Sequence, residues 1–265
     1  MKNFKFGFIG CGNMGGALIN AITKKVKAQE IAVCDFDKQK AESFAKNLGV
    51  TVLTSKEIAL NCDFVVLGIK PQVMQNVIAE FSAELKTREK VTIVTMAAGI
   101  SIEKIRSFIG KDLAIIRIMP NTAVNVGEGM ILYTCKDVEE SVEKEFLTAF
   151  SKAGSFDKLV EDKIDAGCAL SGCGPAFVYA FAEALADAGV ECGLPRDKAI
   201  KYASQTLLGA GKMVLNYGSP AILKDAVCSP GGTTIAGMHA LEKAGFRGAV
   251  MDAVVAAYKK NFDLK

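Results

Sequence analysis

The chain has 265 residues, half of them hydrophobic and 23% charged, a composition that supports a sizeable core and excludes a disordered chain. The net charge of +3 is too small to mark a nucleic-acid or membrane surface, and Lys and Arg are interleaved with acids, as at 136–144, in the manner of a solvated helix face. A single histidine, His239, excludes multi-histidine metal sites and leaves Ser-His-Asp hydrolysis only if His239 serves.

Eight cysteines include no C-x-x-C pair. The closest two, Cys168 and Cys173, lack the further His or Cys ligands of a zinc site, so no metal is expected and the thiols read as reduced and cytoplasmic. The chain opens on Met-Lys-Asn-Phe with no leader-like apolar region. No charge-free apolar stretch reaches the roughly 18–20 residues that span a bilayer, so neither a membrane nor a nucleic-acid partner is expected.

Residues 4–10 form a short apolar run ending in glycine, as a buried parallel strand does. Apolar residues then recur at helical spacing through Met14, Ala17, Leu18, Ala21 and Ile22. A second strand fits 31–34, followed by a helix over 38–48. Further β-rich runs lie at 50–53, 64–69, 91–95 and 113–118, with helical stretches near 73–84 and 102–108. This alternation predicts an α/β fold, a doubly wound parallel sheet. After about residue 160 alanine, glycine and leucine dominate and β-branched runs nearly vanish. Pro175, Pro195, Pro220 and Pro230 stand where helices can begin, and the alanines of 176–190 suit a helix packed closely by neighbours. The expected organisation is therefore a first domain over 1–160 and an all-helical one over 161–265.

Gly10-Cys11-Gly12-Asn13-Met14-Gly15 satisfies G-x-G-x-x-G between a predicted strand and a predicted helix, the context that makes the motif a Rossmann-type dinucleotide turn. Gly10 makes the sharp turn, Gly12 leaves room for a pyrophosphate, and Gly15 lets helix and strand pack closely. Free amides at the helix start meet the phosphate charge. Asp35 lies 20 residues after Gly15, at the end of the second strand. An acid there hydrogen-bonds the adenosine ribose 2′-OH and repels a 2′-phosphate, which tilts the choice from NADPH towards NADH. Lys38 and Lys40 work against that repulsion, and Asp35 also reads as an N-cap or turn residue.

Lys70-Pro71 and Met119-Pro120-Asn121-Thr122 end two strands at the carboxyl edge, where ligands bind such sheets, though either is also ordinary loop punctuation. Ser229-Pro230-Gly231-Gly232-Thr233-Thr234 puts free amides and hydroxyls ahead of a helix, a ready receptor for a carboxylate or else a plain capped helix start.

Together these segments resemble the pyrroline-5-carboxylate reductase family. The resemblance runs in order through residues 7–15, Ile69-Lys70-Pro71, Ala97-Ala98-Gly99, residues 117–122, residues 170–176, residues 223–234 and Gly245-Phe246-Arg247. Ala123, Cys173 and Phe177 depart from the family's usual Pro, Ser and Tyr. The resemblance implies reduction of 1-pyrroline-5-carboxylate to L-proline, the last step of proline biosynthesis, by an NAD(P)H-dependent oxidoreductase. It places the cofactor on Ile9, Gly10, Cys11, Gly12, Asn13, Met14, Gly15, Asp35, Ser55, Ile69, Lys70, Pro71, Ala98 and Asn121. It places the substrate carboxylate on Ser229, Gly231, Gly232, Thr233 and Thr234, brings Glu161 towards the ring nitrogen, and implies a homodimer or larger homo-oligomer through the C-terminal helices.

Thr234 is the candidate for orienting substrate or relaying a proton. A cyclic iminium needs no strong acid, which agrees with a chain holding one histidine, and His239 reads as a packed or solvated helix residue. Two rivals are weaker. A 3-hydroxy-acid dehydrogenase needs a base, often lysine, on the interdomain helix, and 166–190 contains none; a nucleotide-sensing protein without catalysis leaves the 229–234 turn unexplained.

Overall fold

A computed structural model describes residues 4–262; residues 1–3 and 263–265, the outer ends of the two expected domains, lie outside the described residues. Contacts divide the chain into two compact units, one reaching to Gly172 and taking up the chain again from Tyr258, the other Cys173–Ala257.

The first unit runs β1 (Phe4–Ile9), α1 (Asn13–Ile22), β2 (Ile31–Cys34), α2 (Lys38–Leu48), β3 (Thr51–Val52), α3 (Ser55–Asn61) and β4 (Cys62–Leu67). It continues with α4 (Met74–Ala79), α5 (Ser82–Lys86), β5 (Thr92–Thr95), α6 (Ile102–Ile109), β6 (Ala114–Met119), β7 (Gly129–Lys136), α7 (Glu140–Ala149), β8 (Gly154–Lys158) and α8 (Glu161–Gly167). The strands form one sheet in the order β3-β2-β1-β4-β5-β6-β7-β8. All neighbours are parallel except β6 and β7, whose antiparallel register pairs Ile118 with Tyr133. Strand order reverses between β1 and β4, which opens the crevice where doubly wound sheets take ligands.

The parallel strands are apolar because helices cover both faces. Phe64 and Val66 of β4 enter one core with Phe6 and Phe8, while Val65 and Leu67 enter the other with Ile58, Ile78 and Ile93. Phe6 stacks on Phe64 at 4.6 Å between ring centroids and meets Phe150 edge-on at 5.5 Å.

Three expectations needed adjustment. The stretch 73–84 is two short helices, because Phe81 breaks the run to bury its ring completely. Strands β7 and β8 were absent from the sequence reading; β8 is a short edge strand of mostly exposed residues, so its apolar signal is weak. Lys136, read as part of a helix face, ends β7 instead.

The residue-160 boundary marks the change of composition, whereas compactness changes after Gly172. Helix α8 packs on β7, Ile164 is buried with Met119 and Leu132, and a π-helical turn over Cys168–Gly172 follows it within the first unit.

The second unit holds α9 (Gly174–Glu191), α10 (Arg196–Tyr217), α11 (Pro220–Ala226), α12 (Thr233–Lys243) and most of α13 (Phe246–Phe262). Helices α9 and α10 pack together where a Cβ on Gly189 would stand 3.1 Å from that of Ala199. Among the described residues the buried cluster of this unit is only Ala186, Ala199 and Ala203. Tyr179, Leu208, Met213, Ile222 and Met251 stay exposed, so within one chain α9 is not enclosed by neighbours as its alanines led us to expect. The run Glu161–Glu191 is, by length and composition, apolar enough to cross a membrane, though Asp165 and Glu183 leave no charge-free stretch of 18 residues within it, as the sequence reading expected.

Candidate active site

Every residue assigned to the dinucleotide falls at the carboxyl edge of the parallel strands. Residues 10–15 follow β1, Asp35 follows β2, Ser55 opens α3 after β3, Ile69-Lys70-Pro71 follow β4, Ala98 follows β5 and Asn121 follows β6. Across the sheet this reads Ser55, Asp35, the glycine turn, Lys70, Ala98, Asn121, an edge long enough for an extended two-nucleotide ligand.

The glycine turn has the geometry that pyrophosphate binding needs. Gly10 has φ +103°, and a Cβ there would stand 2.5 Å from Gly68 O across the crevice. Its N–H donates to Cys34 O at 2.8 Å, and Gly68 N–H donates to Ile9 O at 2.8 Å, closing β1 against both neighbours. A Cβ on Gly15 would overlap the Gly10 carbonyl oxygen, so α1 starts only if this residue is glycine. Gly12, the exposed N-cap, has nothing within 4 Å of a built Cβ, no side chain caps α1, and no acid stands in its first turn. The amides of Asn13 and Met14 are thus presented with the positive end of the helix and room for an anion.

Asp35 does more than the sequence indicated. Its Oδ2 accepts the Cys11 N–H at 2.6 Å and its Oδ1 accepts the Asp37 N–H at 2.9 Å. The carboxylate therefore pins the glycine turn to β2, and since a carboxylate offers about four acceptor positions it still has room for a ribose hydroxyl. Burial first, and the Asp35 charge second, push the Cys11 thiol up to about 12, so it stays protonated beside the turn. Phe36, which the sequence reading passed over, stands fully exposed beside Asp35. A lone exposed aromatic is the signal that would have drawn attention to it.

Asn121 turns its side chain to backbone. Its Oδ1 accepts Ala123 N–H at 3.2 Å and Met130 N–H at 3.4 Å, and its Nδ2 donates to Ser171 O at 2.9 Å in the π-helical turn. A π turn shifts carbonyls out of the i→i−4 ladder, and Asn121 satisfies one of them. Glu161, in the first turn of α8, accepts the Ile102 N–H at 2.8 Å through Oε1, the same oxygen that pairs with Arg117 Nη1 at 3.0 Å. A cavity of about 710 Å³ opens beside it at the carboxyl edge, lined in part by Pro71, Gly99, Ser101, Arg117, Glu161 and Asp165.

The remaining site residues lie in the second unit. Ser229 O accepts the Gly232 N–H at 3.0 Å across Pro230 and Gly231, whose φ of +70° makes this a type II turn. Gly232 is the N-cap of α12, with no side-chain cap and no acid in the first turn, and Thr233 and Thr234 are exposed at the helix start. A Cβ on Gly232 would stand 2.5 Å from Ser229 Oγ, so any side chain there would displace the serine hydroxyl. Pro230 sits in this turn rather than in the first turn of a helix, and His239 is exposed on α12.

Comparison with known proteins decides the family. The chain is 40% identical over 270 residues to a pyrroline-5-carboxylate reductase of Arabidopsis thaliana, covering 99% of this chain and 96% of that one. The chain belongs to the pyrroline-5-carboxylate reductase family. The reductase of Escherichia coli (strain K12) is 37% identical over 262 residues, with 97% of each chain covered. The crystal structure of Plasmodium falciparum pyrroline carboxylate reductase with NADP bound superposes with a TM-score of 0.86 at 34% identity, covering 98% of both chains. Residues 161–264 match the family's "Pyrroline-5-carboxylate reductase dimerisation" domain, and residues 5–99 match "NADP oxidoreductase coenzyme F420-dependent". The second unit, whose large apolar side chains are exposed, lies within the stretch that matches the dimerisation domain.

Proposed function

We propose that this chain reduces 1-pyrroline-5-carboxylate to L-proline with NAD(P)H, the last step of proline biosynthesis, as a cytoplasmic homodimer or larger homo-oligomer assembled through residues 161–264. The substrate choice is carried by the 229–234 turn, whose uncapped helix start and adjacent hydroxyls provide a carboxylate receptor outside the dinucleotide edge. Ser229, Gly231, Gly232, Thr233 and Thr234 take the carboxylate. When bound, the reduced nicotinamide supplies the hydride.

The protein's part is placement and charge. One proton on the ring nitrogen makes the imine an iminium; the C=N carbon then gains the hydride and the π pair becomes the lone pair of the amine. Holding an already electrophilic iminium in line supplies most of the catalysis, so no histidine is required. Thr234 orients the substrate or relays the proton through water. Glu161, with Oε1 committed to Ile102 and Arg117, approaches the ring nitrogen through Oε2. On the cofactor side Asn13 and Met14 meet the pyrophosphate, Asp35 takes the ribose and favours NADH, and the exposed ring of Phe36 offers a face to adenine.

A spectrophotometric assay of NADH and NADPH oxidation with 1-pyrroline-5-carboxylate tests the proposal. Turnover with higher kcat/KM for NADH is expected, and no turnover with either dinucleotide would overturn it.

A further inference from the structure

The first unit contains a charge cluster around a buried arginine to which the scheme above gives no role. Arg117, near the end of β6, has a side chain only 4% exposed. Its Nη1 donates to Glu161 Oε1 at 3.0 Å and its Nη2 to Asp165 Oδ1 at 3.2 Å, while Nε is buried without a hydrogen-bond partner among the described residues. Two carboxylates one turn apart on α8 thus converge on one guanidinium, an arrangement that cancels the repulsion like charges have at that spacing. A buried guanidinium with an unmet donor is costly, so packing a methionine-like chain there would serve stability better.

What the cluster fixes is backbone. Glu161 Oε1 also accepts the N–H of Ile102, the first residue of α6, at 2.8 Å. Ser101, its N-cap, accepts the Lys104 N–H at 3.2 Å. Residues 97–101, which carry Ala98 from the end of β5, are therefore held at their far end by α8 through one oxygen of Glu161.

We propose that Arg117 and Glu161 are positioning residues for hydride transfer: Arg117 fixes Glu161, and Glu161 fixes the 97–101 loop against which the nicotinamide is held. This rests on the reductase reading. The pyrophosphate and ribose are gripped by residues 10–15 and Asp35, beyond the ends of β1 and β2, away from this loop. Loosening the loop misplaces the reacting ring without releasing the dinucleotide, and misplacement by about 1 Å costs on the order of a hundredfold in rate.

Three variants of the full-length protein test this. Glu161→Ala removes the acceptor and the charge, Glu161→Gln keeps an acceptor for Ile102, and Arg117→Lys keeps the charge but not the two-pronged span. Glu161 is part-exposed at a helix start and Asp165 remains to pair with Arg117, and circular dichroism checks that each variant is folded. Glu161→Ala is expected to lower kcat at least about tenfold, leaving KM for NADH and the Kd from NADH fluorescence within about twofold. Amide exchange at Ile102 should quicken in the dinucleotide-free protein while exchange at residues 10–15 does not change. Arg117→Lys should show the same split to a lesser degree, and Glu161→Gln, which keeps an acceptor for Ile102, should keep amide exchange at Ile102 within about threefold of the parent.

The proposal is overturned if Arg117→Lys retains full kcat, if Glu161→Gln leaves amide exchange at Ile102 as fast as Glu161→Ala does, or if the loss falls on NADH binding. Should Arg117→Lys fail to fold, the two Glu161 variants decide. A parent enzyme inert towards the imine would instead refute the reductase reading, and amide exchange would still report whether Glu161 holds the loop.

Discussion

Gly12 and Gly15 stand three residues apart in one motif, yet the structure assigns them different physical work, and replacing each by alanine separates the two. At Gly12 the backbone is extended, with φ −69° and ψ −167°, and a Cβ meets nothing within 4 Å. Alanine is a poorer N-cap than glycine but restricts the unfolded chain by about 0.4–1 kcal/mol, so the net change should stay within about 0.5 kcal/mol. In a chain of this size that is a Tm shift of roughly 1–2 °C. The new methyl occupies the space where a pyrophosphate would lie, and NADH affinity should fall at least about tenfold, or 1.4 kcal/mol. At Gly15 the methyl would overlap Gly10 O and stand 3.2 Å from Gly10 C, both backbone atoms that cannot swing aside. Overpacking of about 1–3 kcal/mol should lower Tm by roughly 2–12 °C. Thermal melts by circular dichroism and titrations of NADH fluorescence measure both quantities. If Gly12→Ala binds NADH as the parent does, the turn is strand–helix punctuation and the pyrophosphate argument fails.

Replacing Asp35 by Ser should raise the NADPH-to-NADH ratio of kcat/KM at least about tenfold, since it removes the charge facing a 2′-phosphate; an unchanged ratio would mean that Asp35 serves only the Cys11 and Asp37 amides. Thr234→Ala should lower kcat/KM for the imine about tenfold, and a change within about twofold, under ~0.4 kcal/mol, would remove Thr234 from the mechanism. Glu143 contributes to the pH dependence of stability: Lys158 donating to it, opposed by burial and helped by Tyr133, holds its carboxyl below its ordinary 4.5. A depressed carboxyl contributes stability above the unfolded value and loses it as pH falls through the folded one. The Tm difference between the parent and Glu143→Gln should therefore shrink from pH 6 to pH 3, and a difference constant with pH would refute that account.

The sequence announced its fold where one rule governs each residue. A strand buried on both faces must be apolar throughout, so 31–34 was legible to the residue, and a helix closed by Gly49 in the left-handed region was legible over 38–48. It was silent where two demands compete. Strand β8 is an edge of mostly exposed residues, and 73–84 is helical by propensity but broken by the pull of Phe81 into the core. The site divides along the same line. Glycines are informative where close backbone approach or a left-handed φ disfavours other side chains, as at Gly10, Gly15 and Gly231, so residues 10–15 and the Pro230–Gly231–Gly232 turn could be placed without coordinates. Arg117 could not, because a lone arginine in a β-rich run gives no sign of two carboxylates 44 and 48 residues away. Nor does a glutamate before a helix show that one oxygen holds the amide of Ile102, 59 residues earlier. Local rules expose what a ligand touches; the groups that hold those contacts in place are joined through the fold, and only coordinates bring them together.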